Sequence, residues 1–314
     1  MIAATIDDGR VAAREHPDPR PGAGEVLVAV RAAGLNGADL HQLAGRYPAP
    51  PGVAPDIPGL ELAGEVAVLG DGARRFSVGE RVMGIVGGGG QAELAVVHER
   101  TLMAVPERLD WARAGGVPET FTTAHDALFS QCALAAGERL LVHGGAGGVG
   151  TAAIGLAVAA GARVHASVRD PALRDGVAAL GATVIAPEGF AEHGPFDVIL
   201  ELVGAPNLAE DLEALSMGGR ISVIGLGAGA RAEVDLRVLM ACRGRIFGSM
   251  LRSRSLEEKA LTARLLERSV LPALASGAIT VPLSATFPLA RVAEAYERFA
   301  AGGKLGKVVL VMEG

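Results

Sequence analysis

The sequence predicts an α/β protein of two domains, a small β-rich domain and a doubly wound parallel sheet. Three observations carry this. Up to about residue 115, short apolar runs alternate with Gly- and Pro-rich turns, as in a small barrel or sandwich. From about Trp111, near-continuous apolar runs alternate with helical patterns, the signature of a parallel sheet covered on both faces. Third, one of those runs, Leu140 to His143, stops in a cluster of glycines and gives way to a small-residue helical pattern.

In chain order, a turn from Pro17 to Gly24 precedes a strand pattern over 26–32. Residues 61–70 alternate and end at Asp71-Gly72, and 81–86 and 92–97 are two further strand patterns. Gly87 to Gly90 reads as a mobile connection. Residues 120–135 carry a helical pattern, followed by a strand at 140–143 and a helix over 151–160. A second strand covers 163–168. Asp170 then serves as N-cap with Pro171 at the first helical position, opening a helix that Gly181 closes. Strands follow at 196–202, 220–225 and 245–249, with a helix over 208–215. The tail mixes a long amphipathic pattern over 256–275, an extended stretch at 279–281, a helix over 289–300 and a last strand at 304–311. Such a tail returns to the first domain and makes the middle an insertion. The predicted boundaries are 1–115 with 255–314 for one domain, and 116–254 for the other.

Gly145, Gly147 and Gly150 fit the G-x-G-x-x-G spacing. The first glycine permits a tight turn, the second lets backbone approach a pyrophosphate, and the third packs helix against strand. The helix start then offers unpaired N–H groups to the phosphates. With 44 glycines in the chain the spacing is weak alone. Its place after the first strand of a βα series, at a helix start, makes it a dinucleotide site. Gly145, Ala146, Gly147, Gly148 and Val149 are its expected contacts.

Composition excludes several classes. The formal charge is −6, with no long Lys/Arg run, which argues against nucleic acid. The two cysteines, Cys132 and Cys242, form no C-x-x-C, so neither a disulfide framework nor a cysteine zinc site is expected. No basic start leads into an apolar run, and no stretch of about 18 apolar residues occurs, so neither a secretory leader nor a membrane span is read. A cytoplasmic setting is the expectation. No nucleophile stands beside a base: His125 and Asp126 point apart on a helix, so a hydrolase reading fails.

Several stretches together resemble the medium-chain dehydrogenase/reductase superfamily: Asn36 to Leu40, Gly45 to Pro48, Pro58 to Gly64, Val78 to Val82, Ala146 to Gly150 and Gly306 to Leu310. Within it, Gly88 to Ala92, Pro118-Glu119 and Leu251 to Arg254 are most similar to zinc-independent NADPH:quinone oxidoreductases, relatives of zeta-crystallin. The resemblance implies a GroES-like β-barrel catalytic domain, a Rossmann cofactor domain, and a homodimer pairing edge strands of the cofactor domains.

Zinc-dependent members carry Cys where Asn36 stands and His where Leu60 stands, so this chain lacks the three ligands catalytic zinc needs, and no metal is expected. At the end of the second strand of the cofactor domain, Ser167 and Arg169 suit a 2′-phosphate, which favours NADPH over NADH. Asp170 is the counter-signal, better read as the helix cap. Arg174 is a weaker stand-in for Arg169. By resemblance, Tyr47 lines the quinone pocket, where a phenol stacks on a flat ring and donates to its carbonyl. Its other reading is a loop anchor among Pro48, Pro50 and Pro51. Asn36 by resemblance faces the nicotinamide, or else caps local backbone. Gly225 with Leu226, and Lys304, are further expected cofactor contacts. Arg252 and Arg254 are plausible contacts as well, with surface charge as their default reading. The expected reaction is hydride transfer from NADPH to a quinone, with an enoyl or alkenal reductase and a low-turnover NADPH-binding protein as alternatives.

Overall fold

The computed structural model describes residues 1–312 of the 314. The chain begins with a hairpin, β1 (Ile2–Asp7) and β2 (Arg10–Glu15), that no alternating pattern had announced. Then come β3 (Glu25–Gly34), α1 (Gly37–Leu43), β4 (Glu61–Leu69), β5 (Arg81–Ile85), β6 (Leu94–His98) and β7 (Leu102–Ala104). Two short helices, α2 (Trp111–Ala114) and α3 (Pro118–His125), follow. The predicted helix over 120–135 does not run through. It widens into a π turn over Asp126–Gln131, where Gln131 and Ser249 both donate to the Asp126 carboxylate.

The middle of the chain holds β8 (Arg139–Val142), α4 (Gly148–Ala159), β9 (Arg163–Ser167), α5 (Arg174–Ala178), β10 (Thr183–Ile185), β11 (Phe196–Glu201), α6 (Leu208–Glu213), β12 (Leu215–Val223), α7 (Leu236–Cys242) and β13 (Arg245–Gly248). The tail is α8 (Leu256–Ser269), α9 (Leu271–Ser276), β14 (Leu283–Pro288), α10 (Val292–Ala300) and β15 (Lys307–Val311). Pro272 at the start of α9 splits the single helix expected over 256–275, because its ring cannot continue the preceding hydrogen-bond ladder. The extended stretch falls at 283–288, not 279–281.

Two compact units emerge. One comprises 1–122, 251–302 and 307–314; the other comprises 123–250 with 303–306. The expected boundaries move by a few residues, and four residues of the tail lie with the second unit.

In the first unit β3 is the hub. It pairs with β4 along one side, with β6 through Glu25–Ala29, and with β15 through Ala32–Gly34. The sheet runs β14-β15-β3-β4-β5-β7 and is antiparallel apart from the β14–β15 pair. Its inner face buries Val28, Val30, Leu62, Val82 and Leu102 with Tyr296 and Val292 of α10. Gly87 to Gly90 is not a loose connection. Gly89 and Gly90 donate to Ile57 and Gly59 carbonyls, and the Gly87 carbonyl takes the Arg252 guanidinium at 2.7 Å.

The second unit is a six-stranded, all-parallel sheet in the order β10-β9-β8-β11-β12-β13. The chain winds outward from β8 in one direction and from β11 in the other. Strand order therefore reverses between β8 and β11, and this is where such sheets leave a crevice at their carboxyl ends.

Candidate functional site

The glycine turn sits at that switch point. It follows β8 and opens α4, whose N-cap is Gly147 and carries no side-chain cap. The amide groups of the first helical turn are thus left for a ligand. Shape enforces the glycines. A side chain at Gly150 would place its Cβ 2.5 Å from the Gly144 carbonyl, and one at Gly145 would lie 2.8 Å from Ala166. At Gly147 only the Gly144 carbonyl lies within 4 Å, at 3.5 Å, so that face of the turn is open. The fit is to a dinucleotide pyrophosphate: bare amides and no side chain in the way. Gly306 donates to the Ala146 carbonyl at 2.8 Å, which brings the 303–306 segment, with Lys304, to the turn. Gly225 is equally constrained, its Cβ position lying 2.0 Å from the Leu202 carbonyl, and the next residue, Leu226, is 51% exposed.

Arg169 is exposed at the end of β9. Asp170 does cap the following helix, accepting from the Ala172 amide at 3.0 Å. Arg174 is turned to backbone, donating to the Val168 carbonyl. Ser167 is placed differently from expectation. It is buried, and its Oγ lies 3.0 Å from His143 Nδ1. The imidazole reaches Asp211 Oδ1 with its other nitrogen, at 2.9 Å, and packs edge-on to Phe190. Glu201, at the end of β11, accepts from the amides of Val203 and Gly204 and from Asn207. This buried network fastens the turns after β8, β9 and β11 to one another. Neither His143 nor Asp211 was singled out from sequence, where a lone His and a helical Asp carry no pattern.

The first unit gathers a denser polar cluster. Glu61 on β4 is fully buried. Its Oε1 accepts from Lys307 Nζ at 2.6 Å and from the Asn36 amide at 2.9 Å, and its Oε2 from the Glu119 backbone N–H at 2.9 Å. Lys307 also donates to Asn36 Oδ1 at 2.9 Å and to the Leu35 carbonyl at 2.7 Å. Asn36 therefore has both ends of its amide committed to interior partners. Asp39 accepts the Asn36 backbone N–H at 2.8 Å, while its Oδ1 is buried with no partner among the described residues. Gln91 bridges the Asp39 carboxylate and the Tyr296 hydroxyl.

Burial sets the charges here. It pushes the Asp39 carboxyl up to about 6, against the opposing pull of the Asn36 N–H and Lys307. Glu119, at the start of α3, is pushed up to about 8 by burial and then by the Glu61 charge. Tyr296 holds its proton well above the usual range because it is buried.

Tyr47 is half-buried, and burial holds its phenol proton above the ordinary value. The Arg252 guanidinium lies 4.7 Å from its ring centroid. Arg252 is no surface charge. It is 7% exposed and donates to the carbonyls of Gly87 and Tyr47 and to Gln42 Oε1 at 2.7–2.9 Å. One arginine thus holds both the ring and the backbone carbonyl of Tyr47.

This donor set does not suit a catalytic zinc. Leu60 offers no ligand atom, and the oxygens of Asn36 and Glu61 converge on the Lys307 ammonium. A second cation there would meet like charge. In the second unit, His143, Glu201 and Asp211 lie close enough together to hold an ion, but Glu201 has both oxygens committed to amide donors.

Comparison with known proteins places this geometry. The family model for the alcohol dehydrogenase GroES-like domain matches residues 22–107, and that for zinc-binding dehydrogenase matches 180–310. The chain is 32% identical over 307 residues to quinone oxidoreductase of Homo sapiens, covering 94% of this chain and 91% of the human one. An alcohol dehydrogenase superfamily protein from Novosphingobium aromaticivorans superposes with a TM-score of 0.89 at 30% identity over the whole of both chains. A mycobacterial protein solved in complex with NADPH superposes with a TM-score of 0.88 at 28% identity, covering 99% of this chain and 100% of that one.

Proposed function

This chain belongs to the medium-chain dehydrogenase/reductase superfamily, in its zeta-crystallin-like quinone oxidoreductase family, and from that premise we propose that it is a metal-independent, NADPH-dependent reductase of quinones. The observation that carries the reading is the α4 N-terminus, uncapped and reached through a turn that excludes side chains. Reduced nicotinamide, when bound, supplies the hydride. Everything else falls to the protein. The amides of Gly148 and Val149 hold the pyrophosphate. Arg169 pairs with the 2′-phosphate through its planar fork. Gly225, Leu226 and Lys304 flank the remaining length of the cofactor.

On the acceptor side, Tyr47 presents a flat ring to a flat ring, with Arg252 holding it in place. Asn36 acts through Lys307 and Glu61 rather than on the acceptor. With Lys307 where a metal would otherwise gather its donors, the charge that develops on the acceptor oxygen is met by protein hydrogen-bond donors. The NADPH preference draws support from Arg169 and from the NADPH-bound neighbour; the quinone preference draws it from the human relative.

A homodimer in a cytoplasmic setting belongs to the same reading. Among the described residues β13 is a terminal strand of its sheet, and Met240 and Met217 of the same unit are 76% and 65% exposed. The test is a turnover panel on protein whose mass in solution is also measured. NADPH oxidation with 1,4-benzoquinone or 9,10-phenanthrenequinone should exceed that with an enone, and Arg169→Ala should cut the NADPH-over-NADH preference about tenfold. Faster turnover with the enone moves the assignment to an alkenal reductase. Tight NADPH binding without turnover on any acceptor makes this a binding protein.

A further inference from the structure

Arg252 is an interior cation whose donors all meet neutral groups. It is 7% exposed, and each guanidinium nitrogen donates to a different stretch of chain: Nε to the Gly87 carbonyl at 2.7 Å, Nη1 to the Tyr47 carbonyl at 2.9 Å, and Nη2 to Gln42 Oε1 of α1 at 2.8 Å. Burying a charge on neutral acceptors costs free energy, and part of the return is the Tyr47 ring, whose centroid lies 4.7 Å from the guanidinium carbon. The stretch so held has few donors of its own. From Tyr47 to Pro55 it contains four prolines, Pro48, Pro50, Pro51 and Pro55, and each removes a backbone N–H. Its ends are clamped from outside. Arg252 takes Tyr47, and the Gln42 amide donates to the Pro55 carbonyl at 3.2 Å while its oxygen receives Arg252. The Gly87–Gly88 turn packs on the middle, where a Cβ at Gly87 would lie 3.1 Å from Pro50 and one at Gly88 2.7 Å from Val53. Arg252 is fixed in turn by Lys259, which donates to its carbonyl at 2.9 Å.

Resting on the reductase reading above, we infer that Arg252 is a positioning residue that sets acceptor specificity: it holds the Tyr47 ring by one face, so that the other face selects flat acceptors. The two tyrosines differ in this respect. Tyr296 is 3% exposed with its hydroxyl on Gln91, a part of the core, whereas Tyr47 is half-buried and keeps part of its surface open. A platform of this kind works only if it is oriented beforehand, because ordering a swinging ring at the moment of binding costs side-chain entropy. The guanidinium supplies the orientation. Its donors leave one plane in three directions, which a lysine ammonium on a flexible stem cannot reproduce. Stacking is gained equally by the bound acceptor and by the transition state, so its loss appears in KM rather than in kcat.

Two measurements test this. The chain has two tyrosines, so protein made with 3-fluorotyrosine gives two fluorine-19 NMR signals, assigned with Tyr47→Phe. With NADP+ present, 9,10-phenanthrenequinone should move the Tyr47 signal and leave that of Tyr296 in place. Arg252→Met should shift the Tyr47 signal before any acceptor is added, with an unchanged Tyr296 signal as the check on folding. Should Tyr296 be disturbed as well, the smaller change in Arg252→Lys carries the comparison. In turnover, Arg252→Met should raise KM for 9,10-phenanthrenequinone about tenfold, with kcat within about twofold of the parent and NADPH affinity unchanged. The rise should be smaller for a branched enone. Tyr47→Ala should raise KM as much, and adding Arg252→Met to it should raise KM no further, because the arginine acts through the ring. A Tyr47 signal that Arg252→Met leaves unmoved, an unchanged KM, or fully additive effects each overturn the inference. If the parent turns over no acceptor, the reductase reading falls, while the fluorine signals still decide whether Arg252 holds the Tyr47 ring.

Discussion

The two units each bury a polar network, and the networks are built on opposite principles. In the second unit, His143 sits between Ser167 and Asp211, and Glu201 answers two amides and Asn207. Donors and acceptors there nearly balance, leaving Asp211 Oδ2 over. Its product is rigidity, three turns fixed at the crest of a sheet. In the first unit, three carboxyls compete for one ammonium. That network is over-supplied with acid, and burial raises the Asp39 and Glu119 carboxyls.

The contrast is broken most forcefully at Lys307. Lys307→Met leaves Glu61 as a buried charge without a counter-ion, and the variant should lose about 3–5 kcal/mol in urea unfolding. A second substitution, Glu61→Gln, should recover most of that loss. A single Lys307 variant as stable as the parent would mean that the pair contributes little. The crest network should respond less. His143→Leu strands Asp211 and removes the partner of Ser167, at a cost of about 1–3 kcal/mol, and should weaken NADPH binding measured by fluorescence titration. An equal loss at the two sites would erase the distinction between them.

A further test lies in the pH dependence of stability. Asp39 and Glu119 have folded-state values above their unfolded ones, so the folded state binds more protons. Their contribution is fully present below the ordinary carboxylate range. It declines as pH rises through about 6 for Asp39 and about 8 for Glu119. Thermal unfolding followed from pH 5 to pH 9 should show a falling Tm, and the fall between pH 5 and about pH 8 should be shallower in Glu119→Gln. A Tm that rises over that window would contradict the raised carboxyls.

Much of this was legible in the chain. The glycine spacing after an apolar run gave the turn, and Asp170-Pro171 gave the next helix start, because both are local stereochemistry. Asn36 and Leu60 announced an unusual site by what they were not. The gaps have physical causes. The β1–β2 hairpin carries polar residues on a partly exposed ribbon, so no alternation marks it. The Gly87–Gly90 stretch looked loose because glycine says nothing about which carbonyl will receive its amide. Arg252 looked like surface charge because its three acceptors come from positions 165 to 210 residues away. One signal was there to be used. Lys307 stands inside the apolar run of 305–311, and a lysine in such a run needs a buried acid.

By itself the sequence determined what depends on neighbours along the chain: the alternation of strands and helices, and the glycine turn that opens α4. Tertiary structure decided what depends on charges meeting across long separations. Glu61 and Lys307 are 246 residues apart and 2.6 Å distant. Whether a carboxyl is ionised depends on the water removed around it and on which cation arrives first. Those are properties of the packed interior, and burial beside Glu61 is what raises the Glu119 carboxyl, an effect no local pattern could have announced.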